Sequence, residues 1–106
     1  MPFTNLSTQE SREIMPGFHG KLVHTERVTL VAWEIDAGAI LPEHSHPHEQ
    51  MAIITEGEFE ITVGGETQIL VPGVVGVIPG NVKHSGKAIT ACKIFDVFQP
   101  PREDYM

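Results

Sequence analysis

Three histidines fall within five residues, His44, His46 and His48, and Glu49 and Gln50 follow at once, in the stretch GAILPEHSHPHEQMAIITEG from Gly38 to Gly57. Imidazole nitrogens suit borderline and first-row divalent transition metals, and a pair of them needs further ligands to complete a tetrahedral or octahedral site. Residues two apart share one face of an extended strand, so His44 and His46 can address a single point from one backbone. A fourth histidine, His84, closes a second glycine- and proline-punctuated block after Pro79-Gly80-Asn81. The residues alone leave one position open. His48 has the parity of an uninterrupted strand, Glu49 brings a charge and Gln50 a neutral amide, while Pro47 breaks the alternation. A second chemical group stands near the C-terminus. Period two places Ile94, Asp96 and Phe98 on one strand face, so that a carboxylate lies between two apolar side chains. Such a group is costly when buried unpaired and needs a partner or a role. Gln99-Pro100-Pro101-Arg102 follows, where two prolines favour a stiff, extended segment that fixes the direction of Arg102. The plainer alternative pairs Asp96 with Lys93 or Arg102 on the surface and makes Phe98 ordinary core.

The elements that must hold these groups are strands. Val28, Leu30 and Ala32 alternate with Thr29, Val31 and Trp33, and Phe59, Ile61 and Val63 alternate with Glu58, Glu60 and Thr62. Gly64-Gly65 has the composition of a tight hairpin turn leading into Glu66 to Val71. Pro72-Gly73 and Pro79-Gly80-Asn81 punctuate a buried strand from Val74 to Ile78, and Ala88 to Phe98 reads as the last long strand. The first twenty residues, ending near Pro16-Gly17, read as an irregular arm or one short turn of helix; a barrel is expected over residues 21–98 and a tail over 99–106. Seven or eight short strands without a helical stripe indicate an all-β antiparallel sandwich or small barrel, in one domain spanning 1–106. Sheet edges in so small a barrel need cover, and pairing with a second copy would supply it, so a homodimer is expected.

Composition narrows the function. A chain of 106 residues holds one core, not two. Seven basic against fourteen acidic residues give a formal charge of −7, which offers no electrostatic footprint for nucleic acid or an anionic membrane. The N-terminal MPFTNLSTQE lacks the basic start and apolar run of an export signal, and no stretch approaches the ~20 apolar residues that span a bilayer, so a cytoplasmic location is expected. Cys92 has no partner for an internal disulfide and reads as a small buried strand residue. His19 and His24 stand apart and read as surface or barrel-wall residues.

The two punctuated blocks together resemble the cupin family of small β-barrels. Gly38, His44-Ser45-His46 and Gly57 match its first motif, with Gln50 standing where that motif has a glutamate. Gly73, Pro79 and His84 match the second, with Asn81 in place of a glycine and Ala88 in place of the final asparagine. The resemblance implies an antiparallel β-barrel of the jelly-roll or double-stranded β-helix type and a divalent transition metal (Ni, Zn, Fe or Mn) held by His44, His46, Gln50 and His84. A neutral amide in place of a carboxylate leaves such a metal its full positive charge, which favours an anionic substrate. The segments HSHPHEQ, EFEITVGGET and FDVFQPPREDYM are further similar to the KdgF-like group of pectin-degradation cupins. In that group the terminal segment lines the metal pocket, which implies catalytic roles for Asp96, Phe98 and Arg102. The activity it implies is conversion of 4,5-unsaturated uronate monosaccharides from cyclic to linear keto forms, with Asp96 as general base, Arg102 on the substrate carboxylate and Phe98 against the sugar. Two other readings share the barrel: a dioxygenase-type cupin metalloenzyme and a non-catalytic module that binds a small molecule.

Overall fold

The computed structural model describes residues 2–106. Ten strands form two antiparallel sheets: β1 (Arg12–Met15), β2 (Phe18–His24), β3 (Thr29–Ile35), β4 (Ile40–His44), β5 (Glu49–Glu56), β6 (Phe59–Val63), β7 (Glu66–Leu70), β8 (Val75–Ile78), β9 (His84–Ala88) and β10 (Cys92–Gln99). Single 3-10 turns at Leu6–Thr8 and Glu103–Tyr105 are the only helical elements among the described residues. The larger sheet runs β1-β2-β3-β10-β5-β8 and the smaller β4-β9-β6-β7. None of the described helices is long and apolar enough to cross a membrane.

The alternation read from the sequence is the alternation of burial. Along β3, Thr29, Val31, Trp33 and Ile35 are buried, and along β10 Cys92, Ile94, Asp96 and Phe98 are. These residues meet Phe59, Ile61, Leu70 and Ala88 of the smaller sheet, so the core is the sandwich interior. Phe18 bridges the sheets, with its ring edge-on to both Trp33 and Phe59. The expected hairpin is present: β6 and β7 pair from Phe59↔Leu70 to Val63↔Glu66, and Gly64 and Gly65 both take positive φ, 56° and 87°.

The expectation differs from the structure at four places. The strand expected to be buried from Val74 to Ile78 starts at Val75 and lies at the edge of the larger sheet, so Val75 and Val77 are exposed while Ile78 is buried. The first twenty residues are not one irregular arm, because β1 and the start of β2 form a hairpin on the edge of the larger sheet, a short pairing whose mixed polarity hides its period. The strand count is therefore ten. The run from Ala88 divides at Ile89–Ala91, where the chain turns and Thr90 Oγ1 accepts from the Glu58 amide, so the last strand starts at Cys92.

Candidate metal centre

His44 ends β4 and stands directly opposite His84, the first residue of β9. Strand parity does not carry His46. The strand stops at His44, and His46 sits in the connection to β5, where its carbonyl accepts from the Asn81 amide at 2.7 Å. Two features of the Pro79–Asn81 turn seat that connection. Asn81 takes φ 67°, the left-handed conformation that asparagine tolerates. Gly80 has no side chain where a Cβ would lie 2.6 Å from the Pro47 carbonyl oxygen.

The three imidazoles converge, with one ligating nitrogen of each within 4.8 Å of the others. Each ring places Nδ1 against a backbone carbonyl two residues away: His44 on Pro42 at 2.9 Å, His46 on His48 at 3.1 Å and His84 on Val82 at 2.9 Å. A carbonyl can only accept, so Nδ1 carries the proton and Nε2 presents its lone pair. Nε2 of His46 and of His84 is buried with no hydrogen-bond partner among the described residues. Buried polar atoms are rarely left unmatched, and a cation is the partner that such lone pairs fit. Burial, followed by the charge of Arg102, pushes the His46 pKa down to about 4, and burial also lowers that of His84. Both rings are therefore neutral and ligand-competent near pH 7.

The larger sheet supplies the opposite wall. Gln50 is buried on β5, beside Phe98 in register on β10, and faces the histidines across the cavity they share. Its two rivals are placed differently. Glu49 points outward in the alternation of β5, and the nitrogens of His48 lie outside the cluster although its ring stands 5.3 Å from that of His46.

Asp96 faces the same cavity from the middle strand of the sheet. Its Oδ2 accepts from Trp33 Nε1 at 2.9 Å, and Oδ1 has no partner among the described residues. Burial raises its pKa to about 6, against the opposing influence of the Trp33 hydrogen bond, the nearby Gln50 amide and the Arg102 charge. The plainer reading, a surface pairing with Lys93 or Arg102, does not hold: Lys93 points to solvent beside Glu56 and Arg102 bonds to Asp104.

Arg102 is buried at 6% exposure with its guanidinium over the Phe98 ring, 4.6 Å from the centroid. Its placement is more elaborate than a proline strut. The Gln99–Pro100 bond is cis, and the Arg102 amide donates to the fully buried Thr29 Oγ1 at 2.9 Å. The sequence does not single out Trp33 and Tyr105 as cavity-lining residues or Thr29 as the support of Arg102. A signal existed for Trp33, since a buried indole N–H requires an acceptor, but nothing short of the fold brings it to Asp96, 63 positions away. Cys92 is buried, away from the cavity, and burial raises its thiol pKa.

A family model described as "Cupin domain" matches residues 31–98. The pectin degradation protein KdgF of Dickeya dadantii is 28% identical over 97 residues, covering 89% of this chain and 88% of that protein. The structure of KdgF from a Halomonas species superposes with a TM-score of 0.93 at 28% identity, covering 100% of this chain and 99% of that one. An RmlC-like cupin from Shewanella frigidimarina superposes with a TM-score of 0.94, also at 28% identity, over 100% and 96% of the two chains.

Proposed function

The chain belongs to the cupin family, and on that premise we propose that it is a metal-dependent enzyme that opens 4,5-unsaturated uronate monosaccharides to their linear keto forms, in pectin or alginate breakdown. One observation carries this reading: a buried carboxylate with a pKa near 6 shares a cavity with three neutral imidazoles and a buried arginine. The likeness to a protein named for pectin degradation supports a pectin-derived sugar as the substrate.

His44, His46 and His84 would hold a divalent transition metal through Nε2, and Gln50 would add its amide oxygen, with the amide NH2 left toward Asp96. Such a metal supplies a Lewis acid for the substrate carboxylate and for charge developing on the ring oxygen. Asp96, ionised above pH 6, takes the proton of the anomeric hydroxyl. The C1–O5 bond then breaks toward O5, C1 becomes an aldehyde, and C4 receives a proton as C5 becomes the ketone. The product is an isomer of the substrate, so Asp96 can return to C4 the proton it removed. Arg102 pairs the carboxylate, and Phe98 gives the sugar an apolar face while holding Arg102 from one side. A cytoplasmic setting suits a substrate of this size delivered by uptake.

The test is to strip metal from the purified protein, restore Ni, Zn, Fe or Mn singly, and follow loss of conjugated enol-ether absorbance from freshly lyase-generated unsaturated monouronate. Turnover should vanish on stripping and return with metal. Full activity of the stripped protein, or none above background in any loaded form, would defeat the reading.

The same reading includes a homodimer through the outer face of the larger sheet. There Val23, Leu30, Val97, Met51 and Val77 form a row across five strands, and Ala32, Phe95, Ile53 and Val75 form a second across four. Met51, Ile53, Val75 and Val77 remain exposed. Beside them His19, Glu34, Lys93 and Glu56 make a row in which acids flank a lysine, a pattern that a second copy can complement about a two-fold axis. Val77→Lys at the β8 edge should convert dimer to monomer in light scattering; a wild-type monomer would remove the proposal.

A further inference from the structure

Four residues hold Arg102: Thr29, Phe98, Tyr105 and Asp104. Its backbone amide is tied to Thr29 on β3. Two mutually perpendicular rings pack against it, with Cζ 4.6 Å from the Phe98 centroid and 4.0 Å from that of Tyr105. In its own plane, Nε and Nη2 both donate to the Asp104 carboxylate, at 3.0 Å and 2.8 Å, which is the side-on bidentate arrangement. Nη1 makes no hydrogen bond of good geometry among the described residues. The turn carrying these partners is itself anchored: Arg12 on β1 donates to the Tyr105 carbonyl oxygen, and the Tyr105 ring stands edge-on to both Trp33 and Phe98.

A carboxylate bonded through both oxygens to the side edge fixes the plane and the rotation of the guanidinium, and the two packed rings hold it there. What remains is the terminal edge of Nη1 with the second Nη2 hydrogen, which is the other geometry in which arginine binds a carboxylate with two parallel bonds. Arg102 lines the histidine cavity, and its charge is felt at His46, His84 and Asp96. Burial disfavours the charge, and the two Asp104 bonds together with the adjacent Tyr105 more than reverse that, so Arg102 stays protonated.

We propose that Asp104 and Tyr105 are positioning residues, which hold Arg102 with its terminal edge turned to the carboxylate of an anionic sugar in the pocket. This rests on the uronate reading for its ligand, but the positioning itself does not need turnover to be observed. Asp104 is thereby distinguished from a competitor that would occupy Arg102 until substrate displaced it. A competitor must leave for binding, whereas a positioning partner stays on the edge that the substrate does not use.

The experiment has two arms on the full chain. In the first, ¹⁵N-labelled protein is examined at the arginine Nε–H resonances. The chain has three arginines, Arg12, Arg27 and Arg102, so the signal missing from Arg102→Lys identifies the one required. In wild type that signal should exchange slowly with solvent. Asp104→Asn and Tyr105→Leu should each speed its exchange at least tenfold while amide spectra stay folded; unchanged exchange in both variants overturns the proposal, whatever the substrate is. In the second arm, unsaturated monouronate turnover is measured. Asp104→Asn should raise KM about five- to twentyfold with kcat within about twofold, the signature of lost uniform binding. A lowered KM would establish the competitor instead. A wild type without turnover refutes the uronate reading and leaves the first arm to decide the positioning.

Discussion

Replacing Asp96 with asparagine should stabilise the metal-free protein near neutral pH while abolishing its activity. The side chains are isosteric, and the asparagine oxygen can accept from Trp33 Nε1 as the aspartate does at 2.9 Å. The difference is charge. Burial raises the Asp96 pKa from 3.8 to about 6, and a folded pKa above the unfolded one means that the folded state binds the proton more tightly. Stability from that proton is complete below pH 3.8 and is lost as pH rises through about 6. With 1.36 kcal/mol per pKa unit, the ionised carboxylate costs about 3 kcal/mol at pH 7.5, about half that at pH 5 and almost nothing below pH 4. Asparagine escapes this cost. Urea unfolding of both proteins, stripped of metal, should therefore give a variant more stable by about 2 to 3 kcal/mol at pH 7.5, with the gap closing as pH falls. His46 and His84, whose lowered pKa values remove stability as pH falls below 6.5, contribute equally to both proteins and cancel in the difference. Turnover should fall at least ~100-fold, the scale of a lost general base. A gap that does not change with pH, or a variant less stable than wild type at pH 7.5, would refute the argument that burial of an ionised group sets this carboxylate apart.

Four further substitutions probe the site. Trp33→Phe removes the indole hydrogen bond to Asp96 Oδ2, so the acid limb of the pH–rate profile should move to higher pH and stability should fall by about 1 to 3 kcal/mol. An unmoved limb would show that the indole does not set the carboxylate's charge. Gly80→Ala places a Cβ against the Pro47 carbonyl oxygen, which pushes on the connection carrying His46; metal affinity measured by competition with a chelator should drop ~10-fold or more, the scale of a disturbed ligand support. His84→Ala takes away a buried ligand and should abolish stoichiometric metal binding by elemental analysis, whereas Glu49→Gln, on the outward face of β5, should leave it intact.

The sequence made some of this legible because the signals were local. Punctuation by Gly64-Gly65 and Pro79-Gly80-Asn81 marks turns that exist, and period two through Val31–Trp33 and Ile94–Phe98 marks faces that are buried. The cluster of His44, His46 and His84 follows from two spacings in order. Other features depend on contacts between distant strands. The β1–β2 hairpin pairs residues of mixed polarity at a sheet edge, where half of the pairing faces solvent and no apolar rhythm forms. His46 reaches the cluster through a connection seated on the Pro79–Asn81 turn, not through strand alternation. Trp33 meets Asp96, and Thr29 meets Arg102, only because β10 lies beside β3. Asp104 carries no sequence signal of its role, because only the final turn brings it onto the guanidinium.

The central claim, redox-neutral ring opening by Asp96 beside a metal, is tested most directly by proton NMR. Metal-loaded protein is mixed with unsaturated monouronate under argon, with Asp96→Asn and a no-protein sample in parallel. The C4 vinyl signal should disappear, and open-chain keto signals should rise, much faster in wild type than in either control. Equal rates in all three tubes, or turnover only after oxygen is admitted, would contradict it.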